Sequence, residues 1–173
     1  MKTSELKHHE YNPFYGVYIE ALGEVDLLKT LKKQLKNFPE FIGSIPADKL
    51  THAYAEGKWT IAEVLTHILD TERVFQYRAL RFARNDKTPL PGFDQDAYVP
   101  QSAANKRSIK ELIKEYKAIR KSTIVLYETF EPSVLGRKGV GSNSPMTVAA
   151  LGFIMCGHQK HHRNIIRERY LRD

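Results

Sequence analysis

The spacing of apolar residues along the chain predicts four long helices. In the first of them Leu28, Leu31 and Leu35 recur three and four residues apart, which is the period of one helix face. Thr60 and Ser108 are each followed three residues later by a glutamate, and this spacing is typical of a capping box at a helix N-terminus. Glycine and proline residues mark several of the other boundaries. The predicted helices cover residues 24–41, 60–84, 108–130 and 147–170.

No segment of useful length alternates between apolar and polar residues with the period of a strand, so the fold class is predicted to be all-α. Four amphipathic helices of this length most simply bury their apolar faces in a four-helix bundle. The chain has 173 residues, the length of one domain, and we expect residues 1–173 to form a single bundle. The link over 85–107 is long enough to run the length of the bundle, although spacing alone leaves the topology open.

Composition and charge argue against nucleic acid and membranes as partners of the protein. The formal net charge is +7, but the basic residues are spread over all the helical segments, and no nucleic-acid-binding motif accompanies them. The longest mostly apolar run, over 146–157, is shorter than the ~20 residues that cross a bilayer. The chain has one cysteine, Cys156, and its first residues lack the apolar stretch of a signal peptide. We therefore expect a cytoplasmic protein that binds neither nucleic acid nor membrane.

Three of the seven histidines lie in the stretch GHQKHHRNI, residues 157–165. His158 and His162 are four residues apart, so on a helix they share a face, and that face continues the apolar stripe of the fourth segment. His67 lies among inward-leaning positions of the second segment. Three buried imidazoles would repel one another if protonated, and a divalent cation gives them a shared acceptor. The spacing by itself also fits ordinary core or surface histidines.

Two motifs together resemble the DinB/YfiT-like superfamily. One is GKWTIAEVLTHILDTERVFQYR, residues 57–78, and the other is GHQKHHRNII, residues 157–166. The resemblance covers most of the chain and implies a four-helix bundle of up-down-down-up order, with the long link as a crossover between helices 2 and 3. It also implies that His67, His158 and His162 are the ligands of one divalent metal, with zinc or nickel expected.

The same resemblance implies an activity. Members include metal-dependent transferases that use low-molecular-weight thiols such as bacillithiol, and proteins described as metal-dependent hydrolases. The link PLPGFDQDAY, residues 89–98, is similar to the YfiT-like branch and favours a thiol S-transferase that acts on small electrophiles. That branch often has a His-Pro-Glu motif before the fourth helix, where this chain has GVGSNSPMT. The alternatives are hydrolysis by metal-bound hydroxide and a non-catalytic metal- or ligand-binding stress-response module. A homodimer is expected from the exposed helix faces of such bundles.

Side chains near the histidines are candidates for supporting roles. Asp70, Thr71 and Glu72 lie one turn beyond His67, where they could hydrogen-bond an imidazole N–H. Arg78 lies further along the same face and could attract the carboxylates of a thiol cofactor. Solvated charges and intrahelical ion pairs would explain the same charged residues. The remaining expectations are His161 at the surface, Cys156 in the core, Trp59 as a packing anchor, and Asp94, Asp96 and Tyr98 at the mouth of a pocket.

Overall fold

The computed structural model describes residues 1–172, and seven α-helices, one β-hairpin and several short 3₁₀- and π-helical turns form its regular structure. Four of the helices are long and build the bundle, while the other three are single turns or short segments. Within the described part of the chain, none of the helices combines the length and the apolarity needed to cross a membrane. The helices are α1 (Gly16–Glu20), α2 (Leu27–Gly43), α3 (Ile61–Ala83), α4 (Gln95–Gln101), α5 (Ile109–Glu128), α6 (Pro132–Leu135) and α7 (Val148–Ile165).

Side-chain caps fix where the long helices begin. The Thr60 hydroxyl accepts a hydrogen bond from the backbone N–H of Glu63, whose carboxylate in turn accepts one from the N–H of Thr60. Ser108 caps α5 in the same way, and Thr147 caps α7. These three predicted helix starts are confirmed. At the other end of α7 the α-helix stops earlier than predicted, because the backbone continues as a π-helical turn over Ile166–Tyr170.

The packing of the long helices confirms the predicted bundle and its order. Helix α2 packs against α5, and α3 packs against α7, with each pair antiparallel. The start of α2 accordingly meets the end of α5, where Lys32 and Glu128 form an ion pair. Helices α3 and α5 are parallel neighbours, so the chain must return along the bundle between them. The segment 84–108, which contains α4, makes this crossover and gives the up-down-down-up order.

A short β-hairpin precedes α7, although the sequence analysis predicted no strand. Strands β1 (Lys138–Gly141) and β2 (Ser144–Thr147) pair antiparallel. Ser142 and Asn143 form the turn with φ of 52° and 58°, the left-handed conformation of a two-residue type I′ turn. Strands of four residues are too short to show a period-two pattern, which explains the missed assignment. The hairpin also holds the crossover, because the N–H of Leu90 donates to the carbonyl of Val140 at 2.9 Å.

The core consists of two apolar clusters separated by a layer of buried polar side chains. Arg120 of α5 is fully buried and donates to both carboxylate oxygens of Glu72 on α3, at 2.7 and 2.8 Å. It also donates to the side-chain oxygens of Gln34 on α2 and Gln159 on α7. Thr123 supplies a further hydrogen bond to Glu72. One guanidinium thus connects all four long helices.

We predict that Arg120→Met lowers the free energy of unfolding by about 3–5 kcal/mol, because it leaves the Glu72 carboxylate buried without its cation. The double variant Arg120→Met/Glu72→Leu should lose less, since no uncompensated charge remains. Urea unfolding followed by circular dichroism measures both. Lys32→Met, which removes an exposed ion pair, is the control and should change stability by less than about 1 kcal/mol. Equal losses in the single and double variants would contradict the explanation.

Candidate metal centre

Three imidazoles from two helices meet inside the bundle, as the sequence analysis predicted. His67 extends from α3, and His158 and His162 extend from one face of α7. The Nε2 atoms of His67 and His158 are 3.0 Å apart, and one nitrogen from each of the three rings lies within 4.8 Å of the others. The antiparallel packing of α3 on α7 brings these positions to the same level of the bundle.

The N-terminal part of the chain covers the histidines, which the sequence analysis did not anticipate. Helix α1 packs on α7 at Gly157, where an added Cβ atom would lie 2.1 Å from the carbonyl oxygen of Tyr18. Only glycine permits this approach. The Tyr18 ring then lies against the imidazoles of His158 and His161, with centroid distances of 5.5 and 5.2 Å. On the other side, the Trp59 ring lies 5.0 Å from that of His67. Aromatic rings therefore shield the cluster from water.

Burial keeps all three imidazoles neutral near pH 7. It lowers the pKa of His67 to about 4. Burial and the neighbouring rings of His67 and His161 lower the pKa of His162 to about 3. Burial, followed by repulsion from the other histidines, holds the pKa of His158 well below its usual range. Neutral imidazoles keep a free lone pair, so this set of nitrogen donors fits a divalent cation such as zinc or nickel.

The histidines form one end of a cavity of about 240 Å³. Aromatic side chains line much of it, including those of Tyr15 and Phe75. Among the described residues that line this cavity there is no aspartate or glutamate. Two polar side chains on α3 complete the same wall: Thr71, whose buried hydroxyl has no hydrogen-bond partner, and Arg78.

The Arg78 side chain is 1% exposed. None of the ion pairs formed within residues 1–172 includes it. Its Nη2 atom donates to the Pro91 carbonyl at 3.1 Å and to the Ser142 hydroxyl at 2.7 Å, while its buried Nη1 atom has no partner. Burial lowers the pKa of this guanidinium. The structure therefore places Arg78 in the wall of the cavity, and its predicted role in binding a ligand stays a prediction.

The structure places Asp70 and Glu72 away from the histidines, which corrects their expected supporting role. Asp70 pairs with Arg73 at 3.4 Å, and burial raises the pKa of its carboxyl group. Glu72 faces Arg120 in the core. Within the described residues neither carboxylate makes a hydrogen bond to an imidazole. Glu72 lies five residues after His67 and therefore projects from a different face of α3, whereas Thr71 and Arg78, four and eleven residues after His67, share its face. Asp70 lies three residues after His67, but its carboxylate pairs with Arg73 instead of an imidazole.

The other residues singled out in the sequence lie in the core or at the surface, outside the histidine cavity. Cys156 is completely buried, and burial raises the pKa of its thiol to about 12, so it is a core residue as expected. Trp59 packs at the entry of α3, also as expected. Asp94 accepts hydrogen bonds from the backbone N–H groups of Asp96 and Ala97 and so caps α4. Neither Asp94, Asp96 nor Tyr98 lines the histidine cavity, where Phe93 and Gln95 of the same link lie instead.

Comparison with known proteins gives three concordant matches. The family model of the DinB superfamily matches residues 30–166, which include the three histidines and Arg78 but not α1. A protein of Oceanobacillus iheyensis named "Putative metal-dependent hydrolase OB0413" is 26% identical over 137 residues, which are 78% of each chain. Among solved structures, YfiT from Bacillus subtilis is described as a probable metal-dependent hydrolase with an unusual four-helix bundle topology. It superposes with a TM-score of 0.68 at 15% identity, over 94% of this chain and 89% of that one, and this likeness shows a shared fold.

In metal-free protein, we predict that stability decreases as the pH is lowered from about 6.5 to about 4. Over this window the unfolded chain protonates His67, whose unfolded pKa is about 6.5, whereas the folded state with a pKa of about 4 does not. The unfolded state binds more protons, so the free energy of unfolding falls by about 3 kcal/mol for this group and changes no further below both values. Urea unfolding between about pH 7 and about pH 5 measures the slope. It should be smaller in His67→Gln, and an unchanged slope would contradict the prediction.

Proposed function

The chain belongs to the DinB superfamily, and on that premise we propose that it is a metal-dependent enzyme in which His67, His158 and His162 hold one divalent cation. The observation that supports this most directly is the convergence of three neutral imidazoles at the end of a cavity. In the absence of a cation the Nε2 atoms of His67 and His158 can share one hydrogen bond, whereas a cation would accept the lone pairs of all three rings at once. The donor set favours zinc or nickel over magnesium or calcium, which prefer oxygen ligands.

The number of ligands favours a catalytic over a structural site. Structural zinc sites are closed by four protein ligands, whereas catalytic sites use three and leave a position for water or substrate. Among the described residues, the group that could hold a metal contains the three histidines and no further histidine, cysteine or carboxylate. A divalent ion there would act as a Lewis acid that generates a nucleophile from water or a thiol near neutral pH.

Hydrolysis of a small substrate is the reaction that we place first. The relatives described above are named as metal-dependent hydrolases, and the histidine cavity has room for a small molecule. In this proposal the histidines position the reacting centre, and the Tyr18 and Trp59 rings exclude bulk water from the site. Thr71 offers a free hydroxyl beside the reacting centre. The bundle thus supplies orientation and a partly dry environment, which strengthens every electrostatic interaction inside it.

Thiol transfer is the second candidate, and Arg78 is the observation that favours it. A low-molecular-weight thiol with a carboxylate could place its sulfur at the histidines and its negative charge at this unpaired guanidinium. The bacillithiol-type S-transferase activity expected from the sequence stays a proposal on this ground. A homodimer and a cytoplasmic location likewise remain predictions.

We predict that His67→Ala, His158→Ala and His162→Ala each abolish binding of about one zinc or nickel ion per chain, because each removes one of only three ligands. Elemental analysis after stripping, reloading and gel filtration measures the content. His161→Ala is the matched control: it removes a histidine from the same turn of α7, and its metal content should stay at the wild-type level. Wild-type content in both His158→Ala and His162→Ala would refute the metal site.

A second prediction separates the two reactions. We expect zinc- or nickel-loaded protein to hydrolyse a p-nitrophenyl ester, with the rate falling to the uncatalysed level after stripping and in His158→Ala. The thiol reaction is measured in parallel as conjugation of 3-mercaptopropionate to a chlorodinitrobenzene. Metal-dependent conjugation without ester hydrolysis would favour the transferase over the hydrolase. Equal rates in loaded and stripped protein for both reactions would rule out both.

A further inference from the structure

The bundle buries two arginines, of which one is paired with a carboxylate and the other is not. Arg120 is 0% exposed, and Glu72 neutralises it through two hydrogen bonds. Arg78 is 1% exposed, but no carboxylate of the described residues pairs with it. A buried cation without an anion is unfavourable, and an ionisable group with a perturbed pKa that lines a cavity is a candidate for a functional site. Arg78 therefore marks a position where negative charge is missing from the chain itself.

Two of the buried polar atoms that lack a partner lie on the wall of the histidine cavity. They are the Nη1 atom of Arg78 and the hydroxyl of Thr71. Both belong to the face of α3 that also presents His67. Buried donors are almost always satisfied in folded proteins, so two unsatisfied groups in one cavity indicate a polar ligand that is bound there.

The contacts of Arg78 leave a defined set of donors free. Its Nη2 atom donates to Pro91 and to the Ser142 hydroxyl, which fixes the guanidinium between the crossover and the hairpin turn. The Ser142 oxygen accepts that hydrogen bond, so its own O–H remains available to donate. The Nη1 atom forms no hydrogen bond of good geometry with the described residues, and the Tyr15 hydroxyl lies close enough to the guanidinium to interact with it. An anion would thus find donors from a rigidly held guanidinium and from a hydroxyl next to it.

The size and charge of the cavity limit which anion fits. Its volume of about 240 Å³ is below the range of roughly 300–1,000 Å³ that is usual for drug-sized ligands. Arg78 offers one positive charge, which one carboxylate balances, whereas a phosphate ester with about −1.5 to −2 would leave negative charge buried. Phe14, Phe75 and Phe93 line the cavity and suit an apolar or aromatic body. A hydrophilic polyanion fits this lining poorly.

Arg78 lies eleven residues after His67, which is about 16 Å along a helix axis. The arginine side chain extends back toward the N-terminus of its helix and shortens that span. An elongated small molecule can therefore contact both ends of the cavity at once.

We propose that the Nη1 atom of Arg78 and the hydroxyl of Ser142 bind the carboxylate of a small, apolar monocarboxylate substrate whose reacting group lies at the three histidines. The position of the reacting group rests on the proposed metal-dependent function. The carboxylate site does not, because Arg78 and Ser142 form it without a metal. In this proposal Arg78 is a substrate-recognition residue whose guanidinium binds the carboxylate end of the substrate.

The test uses metal-free protein, so that a carboxylate has no cation other than Arg78 to bind. Isothermal titration calorimetry compares benzoate with benzamide, which has the same shape and no charge. Wild-type protein should bind benzoate and should bind benzamide at least about tenfold more weakly. Arg78→Gln should weaken benzoate binding by about 10- to 100-fold, the value of a charged hydrogen bond, and Arg78→Lys should restore part of it. Arg81→Gln, which removes a partly buried arginine one turn away that is paired with Asp86, should bind benzoate like the wild type.

Several results would overturn the proposal. They are absence of benzoate binding to the metal-free wild type, equal affinity in Arg78→Gln, or tighter binding of phenyl phosphate or malate than of benzoate. The first two would remove the carboxylate site, and the third would assign it to a different anion. Failure of the metal-content experiment on the histidine variants would remove the proposed function while benzoate binding persisted, so the two ideas fail separately.

A stability measurement distinguishes recognition from a purely structural role. Without a ligand, Arg78→Gln removes an uncompensated buried charge, so its urea midpoint should equal or exceed that of the wild type. If Arg78 served only to hold the crossover against the hairpin, the midpoint would fall and Arg78→Lys would not restore benzoate binding. That combination would overturn the proposal, whereas recovery of binding in Arg78→Lys supports it.

Discussion

The ion pair between Arg120 and Glu72 sets the register of the whole bundle. Both side chains are fully buried, and a buried charge pair tolerates only the arrangement in which its hydrogen bonds are complete. The same guanidinium requires Gln159 of α7, which directly follows His158 in the sequence. Glu72 lies five residues after His67 on α3. The interaction that holds α3, α5 and α7 together therefore also determines that the histidines of α3 and α7 face each other.

The polar layer and the cavity are two parts of one arrangement. Two apolar clusters form the core, and Arg120, Glu72, Thr123 and Gln159 are buried between the long helices. On one side of α3 the Glu72 carboxylate and the Arg120 guanidinium form hydrogen bonds with each other and with neighbouring side chains. On the other side Thr71 and Arg78 remain unsatisfied next to three neutral imidazoles. The same helix thus presents a completed hydrogen-bond network to the core and two polar groups without hydrogen-bond partners to the cavity.

The sequence predicted those features that depend on local periodicity. The four long helices follow from apolar spacing, three of their starts follow from capping residues, and the inward direction of His67, His158 and His162 follows from their position on apolar stripes. Resemblance to a family then supplied the order of the helices. Each of these signals lies within one helix or one motif.

Features that depend on contacts between distant segments were not predictable in this way. Their position one turn beyond His67 suggested that Asp70 and Glu72 support the histidines, but Glu72 is buried against a partner 48 residues away. The position of Tyr18 over the histidines depends on a single glycine, Gly157, because a side chain there would clash with the backbone of α1. The sequence of α7 alone does not show this requirement. The sequence also could not show that Arg78 lacks a counter-ion, because acidic residues occur throughout the chain. Only the packing shows that none of the described acidic residues forms an ion pair with Arg78.

The contact between Trp59 and His67 makes intrinsic tryptophan fluorescence sensitive to the histidine cluster. The chain has a single tryptophan, and its ring lies 5.0 Å from an imidazole of the cluster. All indole emission therefore originates beside the histidines, without background from elsewhere in the molecule. A cation or a ligand that enters the cavity changes the surroundings of this one fluorophore, so occupancy can be followed by light without any label.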